Sequence, residues 1–262
     1  MITMGIDIGS TTSKCVLAED GEKILASALL VGGIGTDSPA HAVGAALASA
    51  GVDIGAVEYT VATGYGRARY DAADETASEL VCHAAGAHLV FPGVRTVIDI
   101  GGQDAKIISL SEAGKMRDFL MNDKCAAGTG RFLDVMATVL QIPTDELGAY
   151  AARAETPAEI SSTCTVFAES EVISQLANGA TKEALVAGIC ECVARRTAAL
   201  AKRSALADEI CMSGGVARNE GVRRALEAAL NRKILYSPMA QLFGALGAAH
   251  LAYAKAQRAK AL

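Results

Sequence analysis

Val97-Ile98-Asp99-Ile100-Gly101-Gly102-Gln103-Asp104-Ala105-Lys106-Ile107-Ile108 is the stretch that decides the fold. It opens on β-branched residues, turns at two glycines and closes on β-branched residues again. That is the pattern of two buried strands joined by a tight polar loop. The same pattern stands near the start of the chain. At an offset of 92 residues, Ile6, Asp7, Ile8, Gly9 and Lys14 recur as Ile98, Asp99, Ile100, Gly101 and Lys106. The first copy carries Ser10-Thr11-Thr12-Ser13 in its loop. Both copies then run into a strand and a turn, Asp20-Gly21 in one and Ala113-Gly114 in the other. A duplicated strand–loop–strand unit predicts two similar lobes. The first lobe is expected over residues 1–92 and the second over 93–240, with the helical pattern at 241–262 packing back on the first.

Each loop offers backbone amides, small or hydroxyl side chains and one lysine. Amides and hydroxyls donate to phosphate oxygens, and lysine adds a point charge. Two such loops facing each other can grip one polyphosphate from both sides. Asp7 and Asp99 suit indirect Mg²⁺ binding, because Mg²⁺ keeps several of its waters. A third glycine loop, Ser213-Gly214-Gly215-Val216-Ala217, follows a short strand pattern at 209–212. It precedes a helical pattern with apolar residues at 222, 225, 226 and 229. Glycines so placed permit close backbone approach to a ligand. There is no Walker A pattern and no complete G-x-G-x-x-G fingerprint.

Between the phosphate loops, residues 38–50 and 71–88 read as Ala-rich helices. Thr63-Gly64-Tyr65-Gly66-Arg67 reads as a turn between strand 58–62 and the second of them. His83 and His88 fall on that helix five residues apart, a spacing that does not stack them for metal binding.

The seven cysteines form an odd set in a chain of this size, which argues against a disulfide framework. Cys15, Cys82 and Cys211 sit in apolar surroundings and read as small core residues. Cys190 and Cys192 are two apart on a helical pattern and point to different faces. Cys125 and Cys164 differ. They stand in Met121-Asn122-Asp123-Lys124-Cys125-Ala126-Ala127-Gly128-Thr129-Gly130-Arg131-Phe132 and Ser161-Ser162-Thr163-Cys164-Thr165-Val166-Phe167-Ala168-Glu169. Each loop is polar and small, and each runs into a helical pattern, over 129–140 and over 165–177. Helix N-termini carry partial positive charge and free amides, which favour thiolate. The residues alone leave cluster ligation, zinc ligation and plain burial open.

Composition narrows the classes. Hydrophobic residues make up 51 % of the 262, much of it Ala, and aromatics only 4 % with no Trp. Ala-rich helices packed on β-branched strands give such a profile. The net charge of −5, without a basic block, excludes nucleic acid as an expected partner. No apolar run suits a signal peptide or a membrane helix, so a cytoplasmic protein without membrane contact is expected.

Asp-Ile-Gly-Ser-Thr-Thr at 7–12, Asp-Ile-Gly-Gly-Gln-Asp at 99–104 and Ser-Gly-Gly-Val-Ala at 213–217 resemble the phosphate-1, phosphate-2 and adenosine motifs of one superfamily. It comprises acetate and sugar kinases, heat-shock chaperones and actin. The two cysteine segments resemble those of the activator components of 2-hydroxyacyl-CoA dehydratases. They also resemble the related BadF/BadG and benzoyl-CoA reductase ATPases. The resemblance implies an α/β, two-lobed, duplicated ribonuclease H-like fold. It implies ATP/ADP and Mg²⁺ as ligands. It also implies a 4Fe–4S cluster on Cys125 and Cys164. Four thiolates are the usual requirement and one chain offers two, so a homodimer sharing one cluster on its twofold axis closes the count. Asp7, Gly9, Ser10, Thr11, Thr12, Ser13 and Lys14 would then hold phosphate and metal from one lobe. Asp99, Gly101, Gly102, Gln103 and Asp104 would do so from the other, with Gln103 or Asp104 orienting the attacking water or Mg²⁺. Gly214, Gly215 and Val216 would pack the adenosine, and Gln241 is a further nucleotide-site candidate.

The implied activity is ATP-driven, low-potential one-electron transfer to a dehydratase or related iron–sulfur reductase, with ferredoxin or flavodoxin as donor. Two rivals share the nucleotide loops. A small-molecule kinase would use Asp104 or Asp123 as base. The other is a nucleotide-switched chaperone or filament former, although the chain is short for a chaperone and offers no separate substrate domain.

Overall fold

The hairpin pattern at the N-terminus forms as the alternation dictates. β1 (Ile2–Ile8), β2 (Thr12–Glu19) and β3 (Lys23–Val31) are antiparallel neighbours. Asp20 and Gly21 take φ of 53° and 74° in the short loop between the last two, left-handed positions that Asp and Gly tolerate best. α1 (Ser38–Ala50) then crosses to β4 (Val57–Thr63), which pairs parallel to β1. β5 (Glu75–Thr76) and α2 (Glu79–Val90) follow.

The second copy repeats the plan. β6 (Thr96–Ile100) and β7 (Ala105–Leu110) are antiparallel, and β8 (Met116–Asn122) lies beside β7. The helical insert comprises α3 (Gly130–Leu140), α4 (Leu147–Ala152), α5 (Thr165–Ala177) and α6 (Lys182–Ala201). β9 (Ile210–Ser213) pairs parallel to β6. α7 (Glu220–Leu230) leads to β10 (Ile234–Leu235), which pairs parallel to β9. The chain closes with α8 (Phe243–Lys260). Among the described residues the two sheets have the orders β3-β2-β1-β4-β5 and β8-β7-β6-β9-β10, the same layout twice.

This computed structural model describes residues 1–122, 125–161 and 164–260. They form two units. The first holds Met1–Arg95, Leu110–Arg117 and the segment from Gln241 onward; the second holds Thr96–Ser109 and the segment from Asp118 to Ala240.

In the first unit β1 is buried on both faces. Met4, Ile6, Ile8, Cys15 and Leu17 pack with Ala42, Val43 and Ala46 of α1. Val61 and Cys82 pack with Ala248 and Ala252 of α8. Each large side chain removed from water in this way contributes roughly 1.5–3 kcal/mol. The alanines of α8 let it lie close on the sheet, where Thr3 Oγ1 donates to Ala249 O at 2.9 Å. In the second unit α3 packs on α5, and α6 packs on α4 and α7.

One element departs from the sequence pattern. Residues 71–88 do not form one helix, since α2 begins only at Glu79. The upstream segment pairs at the sheet edge instead. Asp74 Oδ2 accepts the Thr60 amide at 2.7 Å, Asp74 N donates to Thr60 O at 3.0 Å, and Ala77 N donates to Ala62 O at 2.9 Å. Parallel pairing with β4 takes the backbone groups that a helix would have used.

Candidate functional site

The seven-residue spacing from Asp7 to Lys14, and from Asp99 to Lys106, acquires its meaning in the sheets. Each aspartate is the last residue but one of the first strand of its hairpin, and each lysine stands directly across from it on the next. Directly opposed residues on an antiparallel pair meet. Lys14 Nζ lies 3.1 Å from Asp7 Oδ2, and Lys106 Nζ lies 3.4 Å from Asp99 Oδ2. Asp7 is 4 % exposed and Asp99 2 %. A buried ion pair is a weak source of stability, so its recurrence at the mouth of both loops points to chemistry there.

In the first unit the loop closes with Gly9 N donating to Thr12 O at 3.0 Å. Gly32 N donates to Thr11 O and Ile34 N to Gly9 O, tying the loop to the end of β3. Thr11 is exposed, and Ser10 and Thr12 are half-buried. Their hydroxyls have no protein partner among the described residues. Ser13 behaves otherwise. It is buried and its hydroxyl donates to Gly32 O at 2.8 Å, so it braces the loop and offers no side-chain donor outward.

In the second unit Gly101 N donates to Asp104 O at 2.9 Å. Lys106 Nζ also donates to Asp104 Oδ1 at 2.7 Å, so one lysine holds both acids. Gln103 is exposed at the tip. A kinase base at Asp104 would have one oxygen already taken by that lysine. The other kinase candidate, Asp123, lies outside the described residues, as do Lys124, Ser162 and Thr163.

The third glycine loop meets the second phosphate loop within the same unit. Gly214 has φ of 84°, and a Cβ there would stand 2.3 Å from Ile100 O and 2.9 Å from Asp99 Oδ1. Val216 is buried, and a Cβ on Gly130 would be 3.6 Å from its Cγ2. The structure thus gathers Asp99, Gly101, Asp104, Lys106, Gly214, Val216 and the start of α3. Gly215 is exposed. Gln241 lies in the turn Ala240–Leu242 that leads into α8.

The turn at 63–67 has a role in the fold that the sequence does not announce. Thr63 pairs with Asp7, as Ser213 pairs with Asp99. Gly64 has φ of 85°, and a Cβ there would stand 2.3 Å from Asp7 Oδ1 and 2.6 Å from Ile8 O. The first unit therefore holds a twin of the third glycine loop, and Gly66 N donates to Ile8 O at 2.8 Å to seat it.

The most direct link between loops runs through backbone alone. Gly130 N donates to Gly101 O at 2.9 Å and Arg131 N to Gly102 O at 2.8 Å. The first amides of a helix have no intrahelical partner, and here the phosphate loop's carbonyls take two of them. Cys125 stands four residues before the helix cap Thr129, whose hydroxyl donates to Ala126 O at 2.6 Å. The second cysteine loop is anchored likewise. Cys164 is the N-cap residue of α5, and Glu171 Oε1 accepts both the amide and the hydroxyl of Ser161 at 2.9 Å.

The cysteines divide into two chemical groups. Burial pushes the thiols of Cys15, Cys82, Cys190 and Cys211 up to about 12, and Cys192 is 4 % exposed. Cys125 is half-buried and Cys164 exposed. A thiol with a pKa near 12 is thiolate only about once in ten thousand at pH 8, and thiolate is the reactive form. Brief alkylation of metal-free protein at pH 8 should therefore label Cys125 and Cys164 first. Peptide mapping that finds Cys82 or Cys211 labelled as fast would contradict this division. The two accessible thiols, each on a loop tied to a helix start, suit the donor set of an iron–sulfur cluster.

No helix among the described residues is long and apolar enough to cross a membrane.

A model of the BadF/BadG/BcrA/BcrD ATPase family matches residues 4–252. The (R)-2-hydroxyglutaryl-CoA dehydratase activating ATPase of Acidaminococcus fermentans is 51 % identical over 257 residues, 98 % of this chain and 98 % of that protein. The solved activator of the 2-hydroxyisocaproyl-CoA dehydratase from Clostridium difficile, with bound ADPNP, is 48 % identical. It superposes with a TM-score of 0.98 over 100 % of this chain and 97 % of that one. A ROK family glucokinase from Streptomyces griseus shares the fold at a TM-score of 0.60 and 16 % identity, covering 96 % of this chain and 99 % of that one. The duplicated kinase-like fold class that the resemblance implied is therefore the one observed.

Proposed function

This chain belongs to the BadF/BadG/BcrA/BcrD ATPase family, and from that premise we propose that it is the ATP-hydrolysing activator of a 2-hydroxyacyl-CoA dehydratase. It works as a homodimer holding one 4Fe–4S cluster, with Cys125 and Cys164 of each subunit as ligands. When bound, the cluster supplies a one-electron redox centre, reduced by a ferredoxin or flavodoxin and discharged to the dehydratase component. Lowering a one-electron potential by roughly 300 mV corresponds to about 7 kcal/mol, a demand that a nucleotide cycle can meet and a side-chain rearrangement cannot.

The chain's own residues do the rest. Gly9, Ser10, Thr11, Thr12 and Lys14 bind phosphate from the first unit, while Gly101, Gly102 and Gln103 bind it from the second. Asp7, Asp99 and Asp104 fix the water shell of Mg²⁺. Gly214, Gly215 and Val216 receive the adenosine, with Gln241 beside the nucleotide. The observation that carries the coupling is the pair of bonds from Gly130 N and Arg131 N to Gly101 O and Gly102 O. A phosphate loop that shifts on hydrolysis carries the start of α3 with it, and Cys125 lies just upstream. Coupling between two sites needs such a shared two-state element.

Support for a twofold partner comes from α5. Val166 and Phe167, just after Cys164, are 66 % and 68 % exposed, and Ile173 further along α5 is 50 % exposed; exposed apolar side chains of this kind are covered when two copies meet.

The test is iron and acid-labile sulfide on protein purified without oxygen, together with its mass in solution. About four of each per dimer, and ATP-dependent activation of a 2-hydroxyacyl-CoA dehydratase, are the expected result. A colourless monomer that hydrolyses ATP and cannot be reconstituted would overturn the electron-transfer function.

A further inference from the structure

The two units are not equivalent around their aspartates. The segments 96–109 and 118–240 contain no histidine, whereas His83 of α2 is 7 % exposed at the core of the first unit. Gly244, the second residue of α8, shows where it points. A Cβ on Gly244 would stand 2.9 Å from His83 Nε2, 2.9 Å from Asp7 Oδ2 and 3.2 Å from Asp7 Cγ. The imidazole edge and the carboxylate therefore converge on one small space, kept open by a residue without a side chain. A direct hydrogen bond or a single water spans such a space.

Other groups border Asp7 as well. Lys14 Nζ reaches Oδ2 at 3.1 Å. Gly64 stands against Oδ1, with its would-be Cβ 2.3 Å away. The positive end of α8 lies beside the carboxylate, a favourable place for an anion. A buried carboxylate with two torsions still needs something to select its rotamer, and His83 Nε2 borders the same small space as Oδ2.

We infer that His83 is a positioning residue for Asp7: its Nε2 edge fixes the orientation in which the carboxylate is presented to the Mg²⁺ water shell. The inference rests on the assignment of Asp7 to the nucleotide site. In the second unit, where no histidine is present, Lys106 bridges Asp99 and Asp104.

The experiment compares His83→Gln, His83→Asn and His83→Leu with Asp7→Asn, by steady-state ATPase kinetics against ATP and Mg²⁺. Gln places an amide near the Nε2 position, Asn places it near Nδ1, and Leu fills the space without a polar atom. His83→Leu is expected to lower kcat roughly fivefold and raise the Mg²⁺ requirement, with KM for ATP nearly unchanged. His83→Gln should recover most of the loss and His83→Asn should not. Equal recovery by Asn and Gln, or a kcat for His83→Leu equal to wild type while Asp7→Asn is crippled, overturns the role of His83. Full activity in Asp7→Asn overturns the Asp7 assignment itself and the inference with it. If His83→Leu fails to fold, the Gln and Asn pair still decides.

Discussion

Replacing Cys164 with serine should strip the protein of iron and sulfide and reduce dehydratase activation by more than roughly a hundredfold. The loss is not proportional to the ligands removed. A cluster shared by two subunits loses one thiolate from each, so a single substitution takes two of four. ATP hydrolysis should stay within about threefold of wild type, because an exposed residue away from the core changes little else. Cys164 is exposed at the N-cap of α5, and Ala168 and Val172 hold that helix to the unit from its buried side. Serine is a better cap than cysteine, since its hydroxyl can accept from the first free amides. The helix therefore survives the change, and the defect is confined to the metal. Iron and sulfide analysis beside an ATPase assay separates the two readouts. Native iron content in this variant would remove Cys164 from the ligand set.

The helices that follow the two cysteines, α3 and α5, pack on each other. Near each cysteine a described residue is tied to the following helix, Ser161 through Glu171 and Ala126 through Thr129. On the proposed function, change at Gly101 and Gly102 would be passed on by displacement of the start of α3, to which both carbonyls are bonded.

The parts of this arrangement legible in the sequence are those carried by short-range spacing. Asp7 with Lys14, and Asp99 with Lys106, are seven apart because a tight hairpin sets them across from each other, so the repeat is visible as letters. The ends of α1 and α5 are visible too, since Ser38–Ala50 and Thr165–Ala177 have apolar periodicity bounded by turn residues. Long-range pairing is not visible. Glu75–Thr76 joins the sheet only because β4 is there to pair with, and the Ala-rich run beyond it reads as one helix without that knowledge. Thr63-Gly64 and Ser213-Gly214 share little but a hydroxyl and a glycine. Their equivalence comes from parallel registers with Asp7 and Asp99. Ser13 looks like one more phosphate donor until its burial and its bond to Gly32 O are seen. The bonds from α3 to the phosphate loop involve backbone atoms alone, for which a sequence has no symbol.

Those backbone bonds can be cut singly, and the cut should uncouple the protein. Gly130→Pro removes the amide that donates to Gly101 O and leaves the helix intact, because proline is favoured in the first helical position. The residue before it must be extended, and Thr129 already is, with ψ of 175°. The new ring also crowds Gly101 O, which lies 3.1 Å from a Cβ at this position, and Gly102 Cα, 3.3 Å away. Loss of the bond costs about 1 kcal/mol, and displacement of the carbonyl it held costs a similar amount. Together these would lower dehydratase molecules activated per ATP hydrolysed by roughly thirtyfold. Gly130→Ala is the control: it adds a Cβ and keeps the amide, so it should lose much less. The measurement is the ratio of activation to phosphate release, taken for all three proteins with the same donor and the same dehydratase. If Gly130→Pro keeps the wild-type ratio, the phosphate loop does not communicate with Cys125 through α3, and the coupling must run through α5 and the Cys164 loop instead.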